Sequence, residues 1–227
     1  MSSLQKIYET HHKEDRSTGF SILEDERGKL YGSILGTGKT VLDIGCRDGA
    51  LTRHFSNGNK VLGVDIDSIS LGRAKQTLGI ETMLVDLNGD WQELAGRVFD
   101  GAVAGEVLEH LYYPERVVEK IILRLKPDGV FVGSVPNAFS LKNRIKYLFA
   151  NKHFTPLEDP THITQFSAHE LNGMLRRHFS SVKIIGYGRL GVLARMCPEL
   201  FAFDLSFVCK KPKHNASGSN NMRVPQI

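Results

Sequence analysis

With 227 residues the chain suits one domain, large enough to bury its apolar surface without disulfides or a structural metal. Its 29 basic and 25 acidic residues leave a formal charge of +4 with no long basic run, which argues against a dedicated nucleic-acid binder; three cysteines without a C-x-x-C pair suggest neither a disulfide framework nor a zinc site. With no signal-like start and no apolar run of membrane-spanning length, a soluble protein of the reducing cytoplasm is expected.

The chain opens on a polar segment that turns helical over 24–35, where Leu30, Ile34 and Leu35 share a face. The first strand is expected at 41–44, an apolar run with β-branched residues suited to burial on both faces of a parallel sheet. It breaks into Gly45-Cys46-Arg47-Asp48-Gly49, and a helix follows at 50–55. Strand, glycine turn and helix in that order suit a cradle, because glycine lets backbone approach a ligand and the helix aims unpaired N–H groups at the same place; the other reading of such a turn is plain tight packing. After the turn Asn57-Gly58-Asn59, a second strand at 60–66 carries Asp65, about 20 residues past the glycines, where a doubly wound fold sets an acid against a ribose diol. A helix capped by Asp67 or Ser68 runs through Leu78 and stops at Gly79. The third strand, 82–85, closes on Asp86, placed to accept a bond from an exocyclic amine such as that of adenine. In the loop over 88–97, Trp91 either packs on the sheet edge or lies against an adenine ring.

A fourth strand is expected at 99–107, a helix from Pro114 to about Leu125, a tight turn at 126–129 and a fifth strand at 130–135. Strands alternating with helices of this length imply right-handed crossovers and a parallel sheet with helices on both faces. The segment 137–166 breaks the pattern: FSLKNRIKYLFANK is basic and amphipathic, and HFTPLEDPTHITQF is rich in turn formers. Its place after a strand's carboxyl end makes it the expected substrate cover, with a membrane surface or a partner as the other use of its basic apolar face. Ser167-x-x-Glu170 is a capping box for a helix reaching Phe179. Strands at 181–187 and 201–209 close the sheet, separated by an excursion over 189–200 long enough to wall a pocket. From Lys210 the chain is polar, and 213–227 is set apart as a disordered tail.

As a series, VLDIGCRDG, VLGVDID, VDLNGDW, FDGAVAGEVLEHL and LKPDGVFVGSVPN, spread between Thr40 and Asn137, resemble the successive motifs of class I S-adenosylmethionine-dependent methyltransferases. Within that family they are most similar to ubiquinone-biosynthesis O-methyltransferases and related bacterial methyltransferase-like domains. The resemblance implies a Rossmann-like, doubly wound, seven-stranded α/β sheet, mostly parallel with an antiparallel final strand, spanning 39–212. It implies S-adenosylmethionine (SAM) as cofactor, with Asp43, Gly45 and Gly49 shaping its methionine end, Asp65 at its ribose and Asp86 with the Leu87 backbone at its adenine. Cys46, Arg47 and Ile66 are counted with them as cofactor-binding. The segment 1–38 would lie over the cofactor, where Tyr8, His11 and His12 either reach the site as part of a lid or simply cap the domain. One departure stands out: the family usually has a third glycine where this chain has Arg47, whose guanidinium would either narrow the pocket or turn outward.

Methyl transfer from a sulfonium needs nucleophile and methyl held in line, which supplies about 7–11 kcal/mol, and a group to take the acceptor's proton. Glu106, Glu109 and His110 lie at i, i+3 and i+4, so one helical turn would gather them on one face, and His162 arrives from the cover segment. These ligand types suit a divalent metal. E-x-x-E-H with a later histidine resembles the metal-ligand pattern of small-RNA 2′-O-methyltransferases and some ubiquinone-pathway enzymes, while EVLEHL is also widespread in metal-free relatives, where the histidine shapes the pocket floor. No metal is assigned; His110 and His162 are the expected catalytic residues. The expected activity is methyl transfer to a small-molecule acceptor, at oxygen. The rival is a protein that binds SAM or its demethylated product without turnover, as a regulator or partner-binding subunit. An NAD-dependent oxidoreductase is disfavoured because Cys46-Arg47 breaks the G-x-G-x-x-G order.

Overall fold

A computed structural model describes residues 19–214. Tyr8, His11, His12 and the tail from 215 lie outside them. The described chain runs α1 (Glu24–Leu35), β1 (Thr40–Ile44), α2 (Arg53–Ser56), β2 (Lys60–Asp65), α3 (Ser68–Leu78), β3 (Glu81–Leu84), β4 (Phe99–Gly105), α4 (Pro114–Ile122) and β5 (Leu125–Pro136), then α5 (Leu141–Leu148), α6 (Ala168–His178), β6 (Phe179–Tyr187), α7 (Val192–Met196), α8 (Pro198–Phe201) and β7 (Asp204–Pro212). Seven strands form one sheet in the order β3-β2-β1-β4-β5-β7-β6. β7 alone is reversed, antiparallel to both β5 and β6. The order switches direction between β1 and β4, which opens a crevice at the carboxyl edge, where doubly wound sheets bind ligands.

Each face of the sheet is buried under helices. Tyr31 and Leu35 of α1, Phe55 of α2 and Ala74 of α3 pack with Val41, Val103 and Val132 on one face. Val118 and Ile121 of α4 and Leu171 and Leu175 of α6 pack with Phe131 and Phe207 on the other. α1 approaches closely because β4 offers glycine: a Cβ on Gly101 would stand 2.4 Å from Leu35 Cδ2. The helix ends follow local chemistry. Asp67 caps α3, its Oδ1 accepting from the Ile69 and Ser70 amides at 2.9 and 3.1 Å, and Gly79 ends it at φ 67°. Ser167 and Glu170 complete the capping box of α6.

The differences from expectation have physical causes. The helix after the glycine turn starts at Arg53, and residues 50–52 form turns before it. β4 ends at Gly105, and Glu106 beyond it takes φ 59°, so the strand stops short of Val107. α4 ends at Ile122 because β5 already begins at Leu125, which pairs with Phe99; the turn at 126–129 is a bulge inside that strand. Phe201 belongs to α8 and the last strand begins at Asp204. Lys210 to Pro212, polar in sequence, are held in that strand against Val130 and Phe179. No helix among the described residues is long and apolar enough to cross a membrane.

Candidate active site

The carboxyl ends of β1, β2, β4 and β5 open into one cavity of about 1510 Å³. Sites for one small ligand run to roughly 300–1,000 Å³, so this volume holds a cofactor and a second molecule together.

The glycine turn forms one wall. Gly45 and Cys46 both direct their amides at the Val64 carbonyl, at 2.8 and 3.2 Å, which anchors the turn to β2. Gly45 (φ 67°) has no room for a side chain, since a Cβ would lie 2.5 Å from Val107 Cγ2. Gly49 (φ 83°) faces away from the cavity, with Leu78 Cδ1 standing 2.6 Å from where its Cβ would be. Its smallness therefore serves the packing of α3. The Cys46 side chain likewise turns inward over Gly63, where a Cβ would stand 2.6 Å from its sulfur, and burial pushes its thiol pKa well up.

Arg47 sits at φ 50°, the left-handed conformation that glycine adopts without strain, which is the physical content of the glycine expected there. Arg47 lines the cavity, and its guanidinium does not turn to solvent. It donates to Asp48 Oδ1 at 3.2 Å and to the Phe20 carbonyl at 2.6 Å, while Asp48 Oδ2 accepts from the Gly19 amide at 2.7 Å. The turn thus clasps the segment entering α1.

Asp65, at the end of β2, accepts from the Arg47 amide through Oδ2 and from the Asp67 amide through Oδ1, each at 2.9 Å. Asp43 lies deeper, with its Oδ2 accepting from the Thr52 hydroxyl at 2.6 Å. Burial raises its pKa to about 7, with Asp65 adding to the rise and Thr52 opposing it. Ile66, Asp86 and Leu87 line the same cavity. Asp86 is exposed and makes an Asx turn with the Asn88 amide at 2.9 Å; the Leu87 carbonyl accepts from Trp91 Nε1 at 3.1 Å. Trp91 is buried in the core, flanked by Lys120 and Arg124, so of its two readings the sheet-edge packing is the one observed.

The chemical groups meet beyond β4. His110 Nδ1 lies 2.9 Å from the Thr161 carbonyl and His162 Nδ1 lies 3.0 Å from the Pro156 carbonyl. A carbonyl only accepts, so each Nδ1 is the donor, and His162 Nε2 faces Asp159 Oδ2 at 3.5 Å. The buried Glu109 carboxylate approaches His110 Nε2 at 3.9 Å, and ligand atoms of Glu109, His110 and His162 all fall within 4.8 Å of one another. Glu106 does not join them: its positive φ interrupts the expected helical turn, and only Leu108–His110 form a short 3-10 turn. The Glu106 carboxylate instead accepts from Ser134 Oγ at 3.2 Å and faces Arg27 Nη1 at 3.6 Å.

Sequence reasoning missed Arg27. It is 1% exposed on α1, donates to Ser134 Oγ at 2.8 Å and to Ser21 Oγ at 2.6 Å, and lines the cavity beside Glu106. Asp204, buried next to this group, has its pKa pushed well up, by burial first and then by Glu106. The signal was present: Arg27, Tyr31 and Leu35 fall at i, i+4 and i+8, so an arginine occupies the buried stripe.

A family model for a methyltransferase domain matches residues 18–178. Ubiquinone biosynthesis O-methyltransferase of Paraburkholderia xenovorans (strain LB400) is 32% identical over 123 residues, which is 50% of either chain. The namesake of Nitrosococcus oceani is 36% identical over 122 residues, 50% of this chain and 48% of its own. The chain thus spans about half the length of the curated relatives it matches. A SAM-dependent methyltransferase from Archaeoglobus fulgidus has a similar fold, with a TM-score of 0.65 over 90% of this chain and 99% of its own at 21% identity. So does the N-methyltransferase NodS from Bradyrhizobium japonicum WM9, solved with S-adenosyl-L-homocysteine, at 0.58 over 88% and 90% with 17% identity.

Proposed function

The chain belongs to the methyltransferase-domain family, the class I SAM-dependent enzymes, and from that premise we propose that it moves the sulfonium methyl to a hydroxyl oxygen of a small-molecule acceptor. In the step, the acceptor oxygen forms a bond to the methyl carbon as the carbon–sulfur bond breaks. The bonding pair stays on sulfur as S-adenosyl-L-homocysteine (SAH), and the hydroxyl proton passes to an imidazole.

Asp65 takes the ribose hydroxyls, with Ile66 against the ring, and Asp86 and Leu87 take the adenine. The methionine end is a zwitterion, which suits the Arg27 guanidinium and Glu106 carboxylate standing side by side near Gly45. Leu141, Ile145 and Phe154 from the segment 137–166, with Leu190, wall the acceptor side. The observation that carries the reading is the pair of cavity-lining imidazoles, each oriented by a carbonyl that accepts its Nδ1 hydrogen, beside the acceptor wall. The preference for oxygen draws support from the name of the curated relatives.

A release assay with methyl-labelled SAM over phenols, sugars and amines tests this. Turnover on hydroxyl acceptors is expected. Turnover on amines alone would overturn oxygen as the site, and binding without turnover on any of them would favour a non-catalytic SAM-binding protein.

A second reading of the cluster rests on its donor set. One carboxylate and two imidazoles suit a divalent transition-metal ion, which Glu109, His110 and His162 would hold and which would polarise the acceptor hydroxyl. Metal content of the purified protein, and activity after chelation, separate the two readings.

A further inference from the structure

We propose that the amino end of α5 is an anion-binding subsite of the cavity, and that it holds a carboxylate or phosphate group of the acceptor. The first turn of any helix leaves amides without an intrahelical acceptor, and these draw a side-chain cap or an acidic residue. α5 has neither. Ser140, at its N-cap, makes no side-chain bond to the turn, and the first turn holds no acid. The first bond of the helix runs from the Arg144 amide to the Ser140 carbonyl at 2.9 Å, and among the described residues the amides of Leu141, Lys142 and Asn143 meet no acceptor.

The serine itself is the second sign of a ligand. Ser140 is 8% exposed, its hydroxyl has no partner among the described residues, and it lines the cavity with the three residues after it. A buried hydroxyl normally finds a partner. Here an anion in the cavity would accept from the hydroxyl and from the helix amides together.

The charge agrees. Lys142 stands second in the helix, where the dipole disfavours a cation, and it is exposed to the cavity with no ion pair among the described residues. Arg189, from the loop after β6, is a further cavity-lining cation of the same kind. A lysine at that place opposes the helix alone and favours it once an anion is bound. The turn is also held in place before any ligand arrives: Asn143 Nδ2 donates to the Asn137 carbonyl at 3.0 Å, and Asn137 Nδ2 to the Ala202 carbonyl at 3.0 Å.

Position separates the two anions that could fill the site. Leu141 and Ile145 of the same helix wall the acceptor side, whereas the cofactor's carboxylate has Arg27. The acceptor is then a hydroxylated carboxylic acid or phosphate ester. That assignment rests on the methyl-transfer reading; the anion site does not.

Amide NMR of the nitrogen-labelled full chain, with and without SAH, tests the site without turnover, using a dihydroxybenzoate, phenyl phosphate and neutral catechol as probes at constant ionic strength. The Leu141, Lys142 and Asn143 amides should shift with the two anions and stay in place with catechol. Lys142→Glu should weaken binding of both anions by about tenfold. Ser140→Asp supplies a carboxylate of the chain's own, so it should bind them at least about tenfold more weakly while melting no lower than the parent. SAM titration of both variants should give affinities within about threefold of the parent. A tenfold loss of SAM affinity in Lys142→Glu would assign the site to the cofactor's carboxylate and overturn the acceptor's. Amides unmoved by either anion, or moved equally by catechol, would overturn the site, as would Ser140→Asp binding the anions as tightly as the parent. Shifts with the anions but no turnover on any hydroxyl acceptor would uphold the site and overturn the methyl-transfer reading alone.

Discussion

The rings of His110 and His162 stand with centroids 4.9 Å apart and planes tilted by 60°, each oriented by a carbonyl that accepts its Nδ1 hydrogen. One comes from the end of β4 and the other from the segment after α5, so the pair exists only when that segment closes on the sheet. If one of them accepts the acceptor's proton, its removal costs the general-base share of catalysis, ~10²–10⁴ in kcat. His110→Ala and His162→Ala should show that loss in one variant and a smaller one in the other, with SAM affinity within about threefold of the parent. Steady-state kinetics beside calorimetry checks it; two variants of parental kcat contradict it.

Asp43 gives the fold a pH dependence of unusual sign for a carboxylate. Its folded pKa, about 7, lies above the ordinary 3.8 because burial penalises the charge. The folded chain therefore holds the proton more tightly than the unfolded one. The stability from that proton is full below about pH 4 and is lost as pH rises to 7. Asp43→Asn keeps an oxygen for the Thr52 hydroxyl and has no charge to bury. The variant should gain on the parent by roughly 2–4 kcal/mol between about pH 5 and about pH 8, read from denaturant unfolding at each pH. A difference that does not change with pH contradicts this.

Gly45 and Val107 should be coupled. Gly45→Ala costs ~1–2 kcal/mol for a left-handed alanine and adds an overlap with Val107, whose methyl carbon lies 2.5 Å from the new Cβ. Val107→Ala removes the overlap and leaves the backbone strain. A double-mutant cycle by denaturant unfolding should give a favourable coupling of ~0.5–3 kcal/mol, and strict additivity contradicts the packing.

Arg47→Gly relieves a left-handed backbone but releases the segment before α1. The two effects oppose, so the melting temperature should move little. Amide exchange around Phe20 should quicken by about tenfold, because the guanidinium bond to the Phe20 carbonyl at 2.6 Å is gone. Unchanged exchange there contradicts the clasp.

Much of this was legible because it is local. Asp67 and Gly79 bound α3 through bonds within a few residues, and the β-branched run at 41–44 needs only its own composition to read as a buried strand. The strand-end acids were legible by position, and their different tasks were not: Asp65 ties two loops, whereas Asp86 is exposed in its own turn. What sequence could not give depends on partners far along the chain. Arg27 is buried because Ser134 on β5 and Glu106 just past β4 wait for it. Glu106 leaves its neighbours Glu109 and His110 because one positive φ turns it toward that arginine, a conformation spacing alone does not encode. Gly49 matched a motif for ligand approach, and its lack of a side chain also lets Leu78 close on the turn, which spacing does not reveal.

The central claim is that the strand ends converge on one adenosine-bearing sulfonium with Asp65 at its ribose. Titration calorimetry of the parent and of Asp65→Ala with SAM and SAH tests it, with thermal melting to show that the variant folds. The account predicts one site per chain in the parent and a loss of about 100-fold or more in the folded variant. No heat with either compound, or a folded variant that binds as tightly as the parent, would contradict it.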